Sequence, residues 1–141
     1  MRTIKFRGFV AELGKFVYGD LLLNNGHPII VIQVERSYIG TTYAGAGSHW
    51  HIETPAYKVK PETVGEFTGL HDKNGKEIYE GDIVRQEKWV SVGKYAPSIG
   101  VIKYKSVGFT CECIGDWHGS NADLNGNAEI IGNIYENTEL L

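Results

Sequence analysis

Apolar and polar residues alternate from Thr3 to Phe9. Ile4 and Phe6 fall on one side and Thr3, Lys5 and Arg7 on the other, the period of a half-buried strand. Lys15 to Leu23 predicts a second strand, closed by Asn24-Asn25-Gly26, residues that tolerate a left-handed backbone. The run Ile29-Ile30-Val31-Ile32 has no alternation and predicts a strand covered on both faces. Ser37 to Ser48, with Gly40, Gly45 and Gly47, predicts a mobile loop. Strands resume at Trp50 to Glu53 and Ala56 to Val59, interrupted at Pro55. Pro61-Glu62-Thr63-Val64 suits one helical turn, because proline fits the first helical position.

The strongest turn chemistry lies between Thr68 and Arg85. In Asp72-Lys73-Asn74-Gly75 the Asp and Asn side chains can bond their own backbone, and glycine accepts a positive φ without strain. Glu80-Gly81-Asp82 predicts a tight corner feeding the apolar pair Ile83-Val84. Beyond it the pattern predicts a strand (Ile83 to Trp89), a loop (Gly93 to Ser98) and strands at Gly100 to Lys105 and Gly108 to Ile114. A loop (Asp116 to Asn127) and a strand (Glu129 to Tyr135) complete the series. The tail from Asn137 suits one helical turn that tucks Leu140 and Leu141 onto the body. Val17 to Leu22 echoes Ile78 to Val84, each with a Gly-Asp pair able to form a corner. The fold expected is mainly β with little helix. An N-terminal β part (residues 1–67) would pack as one domain with a C-terminal small barrel of the Src-homology-3-like kind (residues 68–141), whose closure removes exposed sheet edges.

Several blocks of the chain resemble the YopX family of phage- and prophage-encoded proteins. They are IKFRGF and GKFVYGDLL near the start, KPETVGEFTGL running into TGLHDKNGKEIYEGDIVR, then GVIKY, and the ending EIIGNIYENTELL. The family usually closes on Asn-Pro-Glu-Leu-Leu; here Thr138 stands where that proline would be. The resemblance implies the fold and a phage or prophage origin. It brings no established activity and no functional residues.

Composition narrows the classes. In 141 residues, 42% hydrophobic content supports a core, and 18 glycines between short apolar runs suit a turn-rich β protein. A net charge of −3 is too mild to demand a polyanionic partner. No apolar run approaches the roughly 20 residues of a membrane-spanning helix, and the strand-like alternation that follows Met1 directly leads us to expect no secretory signal. With two cysteines, Cys111 and Cys113, one residue apart, no disulfide framework is expected. These features predict a cytoplasmic, reduced protein with no membrane partner and no cofactor.

Candidate chemistry is sparse. Asp72, Glu77, Glu80 and Asp82 could pair as acid and base, but each sits in turn chemistry or beside Lys73 or Lys76. His49, His51, Cys111 and Cys113 offer zinc-type ligands at i, i+2 spacing, so each pair shares a strand face, although the usual knuckle spacing is absent. No lysine or arginine lies beside the cysteines in sequence to activate them, and no glycine pattern matches a phosphate loop. The positive feature is a basic and aromatic stretch from residue 85 to 105. Arg85, Lys88, Lys94, Lys103 and Lys105 are interleaved with Trp89, Tyr95 and Tyr104 against one acid, Glu87. Such a surface can grip phosphates and stack bases. Tyr18, Tyr38, Tyr43, Trp50, Tyr57 and Trp117 add aromatic residues of the type that anchors protein interfaces. The sequence therefore favours a non-catalytic binding protein that contacts a host or phage protein or self-assembles. Nucleic-acid binding through residues 85–105 is the alternative, and a hydrolase or other enzyme comes last.

Overall fold

The computed structural model describes residues 1–32, 39–44, 47–52, 55–114, 124 and 126–141, of which 39–44 and 47–52 are described by backbone alone. The chain is mainly β, with antiparallel strand pairing throughout and no α-helix among the described residues. It divides into two compact units, Lys5–Val64 and the combination of Met1–Ile4 with Gly65–Leu141.

The Lys5–Val64 unit is built on β1 (Phe6–Val10), β2 (Lys15–Asn24), β3 (His27–Val31), β4 (Ile39–Ala44), β5 (Gly47–Ile52) and β6 (Ala56–Lys58). Four of them form the order β6-β3-β2-β1. Asn24 pairs with His27, leaving Asn25 (φ 50°) and Gly26 (φ 81°) as a two-residue hairpin turn with both central residues left-handed. Val10, Val17, Ile30 and Val59 form the core. Pro28, Ile30 and Val31 are buried and Ile29 is half-buried, so β3 is covered on both faces, as its unbroken apolar run requires. Pro61–Thr63 makes the expected turn of 3₁₀ helix, with the buried Thr63 hydroxyl accepting from the Phe9 N–H at 2.9 Å.

Three expectations fail in the first 64 residues. Arg7, assigned to the polar face, is buried and Ile4 is exposed; the Arg7 guanidinium lies 4.9 Å over the Phe16 ring, which shelters its charge. Where the glycine-rich segment Ser37 to Ser48 is described, at residues 39–44 and 47–48, it is strand and not the expected loop. Its described part is a hairpin in which Ile39 pairs with Ile52 and Thr41 with Trp50, where β-branched and aromatic strand formers outweigh the glycines. Gly19-Asp20 is not a corner but the middle of β2, where Gly19 pairs with Phe6. Glycine is needed there because a Cβ would lie 1.9 Å from the Val31 carbonyl oxygen.

The other unit contains β7 (Gly65–His71), β8 (Glu77–Tyr79), β9 (Asp82–Ser91), β10 (Lys94–Lys105), β11 (Gly108–Cys113) and β12 (Glu129–Asn133). β7 and β8 form a hairpin around the Asp72 turn, and the last four strands form a sheet in the order β11-β10-β9-β12. Among the described residues no ladder joins β11 to β12, so this sheet is open. Ile78, Val84, Ile102, Cys111 and Ala128 form its core, with Phe109, Leu124 and Ile130 packed against them. Gly81 takes φ 86° and donates its N–H to the Ile102 carbonyl at 2.8 Å, while the buried Asp82 carboxylate accepts from the Tyr79 N–H. This is the corner expected from Glu80-Gly81-Asp82.

Two details differ from expectation. Of the expected Gly93 to Ser98 loop only Gly93 lies in a turn, and Lys94 to Ser98 belong to strand β10, paired with β9. Pro97 fits there because the β10–β11 ladder starts only at Gly100, leaving an open edge where a missing N–H is harmless. The tail does form a 3₁₀ turn, Thr138–Leu140, but Leu141 is exposed. The corner before it needs no proline. The Asn133 side-chain oxygen accepts from the Tyr135 and Glu136 N–H groups, both at 3.0 Å, and the Asn137 side chain accepts from the Asn133 N–H.

Candidate binding arm on the C-terminal sheet

β9 and β10 run past their neighbours as a two-stranded arm. β12 pairs with β9 only between Asp82 and Arg85, and β11 pairs with β10 only from Gly100 onward. Beyond those limits the arm reaches a turn at Val92-Gly93, with Gly93 at φ 70°. Trp89 and Tyr95 lie directly opposite one another across the two strands, and a register slip beside them leaves Val90 without a partner in the ladder. All of the large side chains here are outside: Trp89 is 58% exposed, Tyr95 66% and Val92 92%. A protein that buries Ile78, Ile83 and Ile102 completely has left two of its largest aromatic side chains in solvent.

The register decides which residues of the predicted basic and aromatic stretch share a surface. Side chains two apart on a strand, and those paired across strands, point the same way. Arg85, Trp89, Tyr95, Lys103 and Lys105 therefore occupy one side of the sheet. Lys88 and Tyr104 occupy the other, the side of Val84, Ile102 and Cys111, and Lys94 sits at the turn beyond the slip. Tyr104 is exposed there but stacks edge-on against Phe109, with ring centroids 5.1 Å apart. The eight residues do not form one surface.

Nor is the charge as concentrated as the sequence suggests. Lys103 and Lys105 both reach Glu112, at 2.9 and 3.2 Å, and Val101, two residues before Lys103, pairs with Glu112 across the ladder. The hydrogen bonds from Lys103 and then Lys105 hold the Glu112 carboxyl below its usual range. Glu87 lies on the same side, and so does Glu129, which pairs with Arg85 across the β12–β9 ladder, so three cations (Arg85, Lys103, Lys105) face three carboxylates and no surplus remains. A shallow groove beside Arg85, bordered by Glu87, Pro97 and Glu129, also mixes both signs, and Glu129 is bridged to Lys73 at 2.7 Å.

The other candidates take structural roles. Asp72 is 6% exposed, and its carboxylate accepts N–H bonds from Asn74 (2.8 Å), Lys76 (2.9 Å) and Ile130 (3.2 Å). Burial alone would raise its pKa, but these donors outweigh it and hold the carboxyl below the usual value. Glu77 accepts from the Tyr79 hydroxyl at 2.7 Å. Burial pushes the Cys111 thiol up to about 12, with the neighbouring Cys113 adding to the rise and Lys88 opposing it, so Cys111 is a packing residue and not a nucleophile. Among the described residues no group of three or more His, Cys, Asp or Glu is placed to hold a metal ion. The side chains of His49 and His51, the other half of the zinc suggestion, lie outside the described residues, as do Tyr38 and Trp117.

Sequence reading identified Trp89 and Tyr95 but not their pairing, because the slip at Val90 shifts the register by one residue. Val90 and Val92 are exposed as well, and valine beside glycine in a turn is a usable sequence signal of such an apolar tip.

Comparison with known proteins agrees with the architecture. A crystal structure of protein EF1440 from Enterococcus faecalis is similar, with a TM-score of 0.58 and 25% identity, covering 100% of this chain and 99% of that one. A search of the curated proteins finds no match. The family described as YopX protein matches residues 5–141, which includes every element from β1 to the final 3₁₀ turn. The chain belongs to the YopX protein family.

Proposed function

We propose that this YopX chain is a non-catalytic binding protein that engages a protein partner through the β9–β10 arm. The observation that carries the reading is the in-register pair Trp89 and Tyr95, 58% and 66% exposed, on a two-stranded arm. Tryptophan and tyrosine are enriched among the residues that dominate binding energy, and an arm clear of its own sheet can be enclosed by a partner. Cytoplasmic action as an accessory protein of a phage or prophage belongs to the same reading, supported by the family and by two cysteines outside any disulfide. So does a bent, barrel-like C-terminal sheet, supported by the register slips at Val90 and between Ile130 and Gly132.

A nucleic-acid partner is the second reading, supported by Arg85, Trp89, Tyr95, Lys103 and Lys105 sharing one side. It ranks lower because Glu112 already holds two of those cations. The test compares wild type, Trp89→Ala/Tyr95→Ala and Lys103→Gln/Lys105→Gln. Proteins captured from host lysate by wild type should be lost with the aromatic variant and kept with the lysine variant. Labelled DNA and RNA should bind weakly even at low salt. Tight, salt-sensitive nucleic-acid binding that collapses with the lysine variant would reverse the ranking.

A further inference from the structure

The charge distribution names a specific partner for the arm. From Lys88 to Lys105 there are four lysines and no acidic residue, whereas beyond Lys105 there are six acids and no lysine or arginine. The acidic segment ends in exposed Glu136 and Glu139, beside half-buried Leu140 and exposed Leu141. The arm ends in exposed Trp89, Val92 and Tyr95 beside Lys94, with Lys88 on its other side. The tip of the arm is cationic and aromatic, with Lys88 and Trp89 on opposite sides of it, the tail is anionic and aliphatic, and both belong to the same chain.

We propose that the occupant of the arm is a second copy of this chain, bound arm to tail: Trp89 and Val92 against Leu140 and Leu141, with Lys88 and Lys94 against Glu136 and Glu139. This rests on the reading of the arm as a contact element and supplies its partner. A symmetric arm-to-arm pairing is the alternative geometry, and electrostatics oppose it, because two copies of an acid-free tip would bring their lysines together. Arm-to-tail contact joins unlike surfaces, so it propagates and closes into a ring or extends as a filament.

Sedimentation velocity of the full chain over a range of concentration and salt tests this. An arm variant (Lys88→Glu/Lys94→Glu) and a tail variant (Glu136→Lys/Glu139→Lys) are run alone and mixed, with circular dichroism confirming the fold; Glu139→Lys alone serves if the double tail variant unfolds. Wild type should associate at low salt and dissociate in about 1 M salt, where the screening length is about 3 Å. Each variant alone should associate about tenfold or more weakly, since like charges then meet. The equimolar mixture should regain wild-type association, because each arm again finds an oppositely charged tail. A tail variant that associates like wild type would overturn the proposal, since arm-to-arm pairing does not use the tail. Wild type that stays monomeric at low salt and high concentration would overturn it too. In that case, capture of other proteins that depends on Trp89 and Tyr95 leaves the arm's binding role standing, and capture indifferent to them removes both.

Discussion

Asp72 shows how one carboxylate can govern a turn. It receives three backbone N–H groups, one of them from Ile130, 58 residues away. Removing it leaves those donors without their charged acceptor, so Asp72→Ala should cost about 2–3 kcal/mol in urea unfolding, and Asp72→Asn less. The sign of its pH dependence follows from its lowered pKa. Folding favours the ionised form, so Asp72 stabilises the protein above the ordinary carboxyl value of about 3.9. That contribution disappears as pH falls through and below this value. Acid should therefore destabilise wild type more steeply than Asp72→Asn. Cys111 makes the opposite case. With burial pushing its pKa up to about 12, it stays a thiol at pH 8. Maleimide labelling of the native protein, read by mass spectrometry, should modify Cys113 well before Cys111, and denaturant should abolish the difference.

At the scale of elements, the two Gly-Asp pairs show why similar sequence does not guarantee similar geometry. Gly81 needs a positive φ, whereas Gly19 needs the space where a Cβ would meet the Val31 carbonyl. Gly19→Ala should therefore cost about 3 kcal/mol, because backbone must move. Gly14→Ala, with φ 63° and open space around it, should cost about 1 kcal/mol. The arm should behave unlike the core. Trp89→Ala should change stability by about 1 kcal/mol or less, the worth of an exposed cross-strand pair, while Ile78→Ala should cost about 2–5 kcal/mol. Thermal melts of the two variants check the contrast. Strands with clean alternation or a sharp turn, such as β2 and β3, were legible in the sequence because local chemistry decides them. Arg7 was misread because alternation counts charge as exposure, and an aromatic ring such as Phe16 can cover a guanidinium stem from another strand. The β4–β5 hairpin was missed because glycines were counted without their threonine, tyrosine and tryptophan neighbours. Pro97 suggests a loop because the sequence does not show where β11 stops.

At the scale of the whole chain, the mild net charge conceals a polar arrangement, cationic around the arm and anionic along the tail. Residue types in the candidate site were legible, but their distribution over two sheet faces was not, because it depends on a one-residue slip at Val90. Exposed ion pairs contribute little to holding this arrangement. The Arg2–Glu66 bridge at 2.8 Å is such a pair, and Arg2→Ala should shift unfolding by less than about 1 kcal/mol.

The bond from Ile130 to Asp72 also sets an order of events during synthesis. β9 gains β12 as its neighbour, and the Asp72 turn gains its third donor, only after Glu129–Asn133 has left the ribosome. Until then β9 should present an unprotected strand edge on the side that β12 covers. Chains stalled before β12 should be captured by holdase chaperones and cut by proteases, while chains released a few residues beyond Asn133 escape both.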